Sequence, residues 1–291
     1  MMFQLQQKDI LKNTKNYYKI MGEELSLHEL QNIGLDILLD VHKFCERNDI
    51  CYSLAYGTLL GAIRHKGFIP WDDDVDIIMP RNDFERFLKE YDSVDYTLID
   101  PHSEDSYIAF ARVCDNKRTI AKGAYPWCKK QTGAWIDVFP ADGVVDDFNV
   151  FSSRMKRLNT LWQRQLRIRS SRIGFKDLMS ITGKIKLLVK KIIYGSTNIH
   201  EYNEKTFANN TRLSFGKTSH WSQLVCLDGI DKEFNSYEDF RETILVPFEG
   251  HLLRVMNGYD GVLRNNYGKY MELPSEEEQK PKQSHVHFYW K

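Results

Sequence analysis

The sequence predicts a mixed α/β protein: a mixed-sheet core carrying a mostly helical, basic insertion. Three observations lead there. Helical and strand-like periods alternate along residues 26–145. Of the 291 residues, 42% are hydrophobic and 27% charged, the balance of a soluble globular chain. Residues 151–195 then break sharply from the rest in charge, with twelve Lys or Arg against one acid, Asp177, in a chain whose net charge is zero.

Taken in order, residues 1–25 form a lead-in without a clear period. Ser26 and Glu29 make a capping-box pattern, and Leu27, Leu30, Ile33, Ile37, Leu38, Val41 and Phe44 recur at helical spacing to about Asn48. Ile50 to Tyr56 reads as a short strand ended by Gly57, and Thr58 to Arg64 as a helical turn or two. HKGFIPWDD is a Gly/Pro-punctuated loop, and Val75 to Met79 a β-branched strand stopped by Pro80. Residues 82–91 carry Phe84, Phe87, Leu88 and Tyr91 on one helical face, and strands are predicted at 96–100, 107–114 and 134–139. The catalytic core is thus expected over 26–150, the basic helical segment over 151–215, and a completing region of strands, a short helix and a loose tail over 216–291. The five cysteines, at 45, 51, 114, 128 and 226, form no C-x-x-C pair and read as free thiols.

The stretch that carries chemistry runs from Tyr56 to Ile78. If Asp74 and Asp76 lie on a strand they project to one face, and two carboxylates that close repel unless a cation sits between them. Hard oxygen ligands suit Mg²⁺ or Mn²⁺. Asp72 would share that face only if the strand began early; Asp73 would point away. Gly57-Thr58 at a strand-to-helix junction offers backbone N–H groups and a hydroxyl to a phosphate. Asp137, inside the apolar run Ala134-Trp-Ile-Asp-Val-Phe139, needs a partner if buried. The order strand, Gly-Thr, short helix, loop, Asp-Val-Asp is that of nucleotidyltransferase-fold enzymes, which take a third carboxylate from a later strand.

The block GTLLGAIRHKGFIPWDDDVDIIMPRNDFERF resembles the signature of the LicD family of phosphotransferases, which fukutin-related proteins share. WIDVFPAD, VPFEGHLLRV, NNYGKYMELP and SHVHFY resemble later family segments in the same order. The resemblance implies a nucleotidyltransferase-like fold that moves a phospho-alcohol, such as phosphocholine, from a CDP-linked donor like CDP-choline to a sugar hydroxyl. The acceptor would be a lipid-linked or oligosaccharide precursor of teichoic acid or lipopolysaccharide type, and CMP would leave. It assigns metal binding and catalysis to Asp74, Asp76 and Asp137, with Mg²⁺ or Mn²⁺ as the cofactor. Gly57 and Thr58 match the phosphate-loop position, and Arg64, His65 and Lys66 supply positive charge near the phosphates. Asp137 is also placed to accept the attacking hydroxyl's proton. Tyr56, Trp71, Tyr125, Trp127 and Trp135 offer faces to a quaternary ammonium. The roles of His285 and His287 stay open.

Two other functions compete: nucleotide addition to a small molecule or protein on the same fold, and a non-enzymatic membrane-surface protein with a relict core. Retained carboxylates weigh against the second. The +11 segment invites nucleic acid, but it lacks a groove-reading motif and has few aromatics. KIKLLVKKIIYG instead places Ile185, Leu188, Val189, Ile192 and Ile193 on one helical stripe flanked by lysines. The expectation is a cytoplasmic protein, without an apolar secretory segment at its start, that touches the inner membrane face through 151–195.

Overall fold

The computed structural model describes residues 22–104, 106, 108–123, 132–169, 182, 183, 185, 189, 199–225, 232–280 and 286–291. Helix α1 (Leu27–Asn48) starts as its sequence dictates, with the Ser26 backbone N–H donating to Glu29 Oε2 at 2.8 Å and the Glu29 N–H donating to Ser26 Oγ at 3.3 Å. It ends where Asp49 turns to φ +50. Its apolar stripe, Ile33, Ile37, Leu38, Val41 and Phe44, is buried in the main core.

Strand β1 is only Ser53–Leu54, because Tyr56 takes a φ of +46 and opens helix α2 (Tyr56–Arg64) two residues before the predicted start. After the loop come β2 (Asp76–Pro80), α3 (Arg81–Glu90), β3 (Thr97–Ile99), β4 (Ala111–Asp115), β5 (Thr119–Lys122) and β6 (Ala134–Val144). The central sheet runs in the order β1-β2-β6-β4-β3, with β2 parallel to β6 and the other neighbours antiparallel. This is the mixed α/β core that the alternating periods predicted, built on the mixed sheet expected of a nucleotidyltransferase-like fold.

Strand β6 runs five residues past the predicted end at Phe139, straight through Pro140. Proline is tolerated there for a local reason. Pairing with β4 stops at Val138, and pairing with β7 (His220–Ser222) begins at Asp142, so the missing N–H falls in the gap between two partners. Helix α4 (Phe148–Arg169) follows and packs Phe151 and Met155 against Val144 and Leu224. Next come α5 (Ile199–Asn210), β8 (Asn235–Ser236), the hairpin β9 (Thr243–Phe248) and β10 (His251–Met256), and α6 (Tyr259–Tyr267).

The expected loose tail is instead a strand. β11 (His287–Trp290) pairs antiparallel with β5, a strand the sequence reading missed. Residues 22–25 pair with β11 in turn, through Gly22 N–H to Trp290 O at 2.7 Å and Leu25 N–H to Phe288 O at 2.8 Å. The last part of the lead-in is therefore fixed to the body of the protein. Cys45, Cys51 and Cys114 are free thiols, as expected; Cys128 and Cys226 lie outside the described residues. Of the lysine-flanked stripe, Ile185 and Val189 are described and are exposed, at 55% and 45%; Lys184, Lys186, Leu188, Lys190, Lys191, Ile192 and Ile193 lie outside. Among the described residues no helix is long and apolar enough to cross a membrane.

Candidate active site

The parallel pairing of β2 with β6 sets Asp76 and Asp137 side by side in register. The backbone of Asp76 is held on both sides: its N–H donates to Thr58 Oγ1 at 2.9 Å and its carbonyl accepts from Ala55 N–H at 3.0 Å. Asp137 N–H donates to Val75 O at 2.8 Å, which fixes the adjoining strand. Thr58 is thus buried, with its hydroxyl turned toward the strand and occupied by Asp76. It builds the site from behind.

Asp74 precedes β2 and lies in the loop, so strand alternation does not govern Asp72, Asp73 and Asp74. A carboxylate oxygen from each of the three lies within 4.8 Å of the others. The expectation that Asp73 points away does not hold, because the extended backbone on which it rested begins only at Asp76.

Crowding shows in the proton affinities. Burial, followed by the charges of Asp74, Asp137 and Asp72, raises Asp76 well above the usual carboxylate range. Asp74 is open to water by surface area, yet the cleft walls and its neighbours Asp73, Asp137 and Asp72 push it up to about 7. Against these stands Arg112, whose Nε donates to Asp137 Oδ1 at 2.6 Å and whose second terminal nitrogen donates to Oδ2 at 3.3 Å. Burial still carries Asp137 upward, with Arg112 opposing. Among the described residues Asp74, Asp76 and Asp137 share one guanidinium, an excess of negative charge that a divalent cation such as Mg²⁺ or Mn²⁺ would relieve. The three carboxylates that come to a common metal-binding spacing there are Asp72, Asp73 and Asp74, with Asp74 alone shared between the two sets.

Sequence reasoning missed Arg112. It is buried in β4 and sits 4.0 Å from the Trp135 ring centroid and 5.5 Å from that of Phe110. A lone arginine in the apolar strand ARVCD was the available signal, since a buried guanidinium implies a nearby acid. Trp135, read as a face for a ligand, instead stacks on Arg112 and meets Phe288 edge-on. Tyr125 and Trp127 lie outside the described residues.

The acidic cluster opens into a cleft of about 970 Å³, bounded by the start of α2, the Trp71–Asp76 stretch and a wall from Tyr267 to Lys280. Gly57 lines it at close quarters: a Cβ there would stand 2.3 Å from Asp72 Oδ2 and would push that carboxylate aside. Tyr56, in the left-handed region, is anchored by its hydroxyl donating to Glu233 Oε1 at 3.2 Å and by an edge-on contact with Phe139. Burial pushes Glu233 up to about 7. Arg64 lines the cleft but donates to the carbonyls of Tyr270 and Glu272 at 2.8 and 3.3 Å, tying the wall to α2. His65 accepts from Arg64 Nε at 2.9 Å, meets Trp71 edge-on and is held toward its neutral form by burial and by Arg64. It therefore serves as a prop for Arg64 rather than a second positive charge. His287 is on β11, in contact with Glu24 at 2.6 Å, so it ties the chain ends together; His285 lies outside the described residues.

Residues 49–168 match a family model described as LicD/FKTN/FKRP, nucleotidyltransferase domain. The chain is 33% identical over 269 residues to the lipopolysaccharide cholinephosphotransferase LicD of Haemophilus influenzae, covering 89% of this chain and 96% of that protein. It is also 38% identical over 85 residues to an uncharacterized protein of Rickettsia prowazekii, and 36% over 87 residues to one of Rickettsia typhi. Those matches cover 28% and 29% of this chain, and 29% and 26% of the two proteins.

Proposed function

Because the chain belongs to the LicD family and is a phosphotransferase, we propose that it moves phosphocholine from CDP-choline to a sugar hydroxyl of a lipopolysaccharide-type saccharide, releasing CMP. The observation that carries this reading is the acidic lining of the cleft, Asp72, Asp73, Asp74 and Asp76 at the start of β2, with Asp137 and its partner Arg112 beside Asp76 in register. A divalent cation held by Asp74, Asp76 and Asp137 would offset charge on the donor's diphosphate as the nucleotide leaves. The chain's own contributions are positional. Thr58 and Ala55 fix Asp76, Arg112 aims Asp137, and Gly57 lets the donor approach the start of α2. Arg64 keeps the outer wall in place.

Product analysis tests the proposal against nucleotide addition on the same fold. With CDP-choline, Mg²⁺ and a lipopolysaccharide acceptor, CMP and choline-bearing saccharide are expected together. Pyrophosphate release from a nucleoside triphosphate, with nucleotide on the acceptor and no CMP from CDP-choline, would replace this reading with the other.

We further propose peripheral contact with anionic lipid through 151–195, supported by the exposure of Ile185 and Val189 on a lysine-rich segment. Sedimentation with anionic vesicles at low salt should carry the protein down, and changing Lys184, Lys186, Lys190 and Lys191 to Glu should release it. Protein left in the supernatant with the wild-type sequence would sink the idea.

A further inference from the structure

The outer part of the cleft carries chemistry that a diphosphate does not explain. Among the described residues seven carboxylates line the cleft, three of them on the wall (Glu272, Glu277 and Glu278), against three basic side chains, Arg64, Lys269 and Lys280. Arg64 is turned to backbone carbonyls and Lys269 to Glu272 at 3.2 Å. Even with a divalent ion among the strand-end carboxylates, the lining keeps a negative excess. A site made only for an anionic donor and a neutral polyol has no use for it.

Aromatic faces stand beside these acids. Trp71 lines the cleft, braced edge-on by His65 at 6.1 Å between centroids. Tyr267 lines the facing wall and remains 43% exposed, a large ring presented to open space. Tyr56 and Tyr270 also line the cleft, but their hydroxyls are committed to Glu233 and Asp260, the latter at 2.7 Å. Asp76, Asp72 and Glu233 lie within electrostatic range of Tyr267, opposed by Arg64, whose guanidinium is turned to the wall carbonyls. Aromatic faces inside a negative field suit a cation that cannot donate hydrogen bonds, because such a cation gains nothing from carboxylates beyond charge and binds best over a ring. A primary ammonium would instead seek direct carboxylate contacts, and a polyol would need donors and acceptors.

We propose that Trp71 and Tyr267 form the specificity site for the transferred alcohol and select a quaternary ammonium. The proposal rests on the phosphotransfer reading and names which part of the cleft holds the non-reacting end of the donor.

Equilibrium binding to the full chain in Mg²⁺ tests it, using phosphocholine and its uncharged-headgroup isostere, in which tert-butyl replaces trimethylammonium. The isostere should bind about tenfold more weakly. Tyr267→Leu should weaken phosphocholine by a similar factor and leave the isostere almost unchanged, whereas Tyr267→Phe, which keeps the ring, should retain the preference. Trp71→Leu repeats the test should the first variant fold poorly by circular dichroism. Equal affinities for the two esters, or a preference untouched in both leucine variants, would overturn the proposal. Since binding is read without turnover, the two readings fail separately. Wild-type protein that binds phosphocholine selectively but releases no CMP sinks the reaction alone; transfer without cation preference sinks this site alone.

Discussion

Strands β2 and β6 run side by side, and their two ends treat charge in opposite ways. At one end Asp76 stands beside Asp137 with Asp74 and Asp72 close by, and Arg112 answers only one of them directly. At the other end Arg81, the residue after β2, donates through Nε and a terminal nitrogen to the two oxygens of Asp142, both at 2.7 Å. That pair is buried, and Arg81 also reaches Glu85 at 3.1 Å and lies over Phe84 and Phe207. A buried acid with its own guanidinium is part of the frame. Acids that outnumber their partners, at the mouth of a cleft, are where we propose that a cation enters.

The contrast can be broken from the frame side, where the largest effect is expected. Asp142→Ala strands a buried guanidinium and should cost about 3–5 kcal/mol of stability by urea denaturation. The specific activity of the molecules that remain folded should be unchanged. A loss below about 1 kcal/mol would mean that the Arg81 end is not the structural one.

From the cleft side, Asp76→Asn should do the reverse. It removes one charge from a crowded group, so the metal-free fold should be no less stable, while turnover falls by about a hundredfold to a thousandfold. Near-normal turnover at saturating Mg²⁺ would remove Asp76 from the machinery.

The smallest effect is one of pH. Asp74 and Glu233, each pushed up to about 7, and Asp76, raised well above the usual carboxylate range, hold protons in the folded chain that the unfolded chain has already released. The folded state therefore binds more protons between the ordinary carboxylate range and about pH 7, and stability falls as pH rises across that window. Metal-free protein should thus melt higher near pH 5.5 than near pH 7.5, with a shallower slope in Asp76→Asn. A melting temperature that climbs with pH would contradict the crowding.

Much of this was readable in the chain because it is local. Capping box, helical stripe, β-branched strand and the D-x-D spacing each depend on a few neighbouring residues, and α1, α2 and β2 follow from them, whereas Asp137 was placed with Asp76 only by the nucleotidyltransferase-like order of elements. What escaped depends on partners far apart in sequence. β11 looked like a tail because its partner β5 lies about 170 residues earlier, and Arg112 gained meaning only once β4 lay against β6. Thr58 was assigned to phosphate on local grounds, yet the register of β2 turned its hydroxyl to Asp76. The Tyr267–Lys280 wall was visible only as the block NNYGKYMELP, with nothing to say that Arg64 would draw it over the cleft.

The central claim, that the charge excess at Asp74, Asp76 and Asp137 is a divalent-cation site, is tested most directly by the melting temperature of the chain titrated with Mg²⁺ near neutral pH. An ion that binds the folded state alone must raise it in a saturable way. The wild-type protein and Asp142→Ala should both show that rise, and Asp76→Asn should not. No rise in the wild type at millimolar Mg²⁺, or an equal rise in Asp76→Asn, would contradict the account.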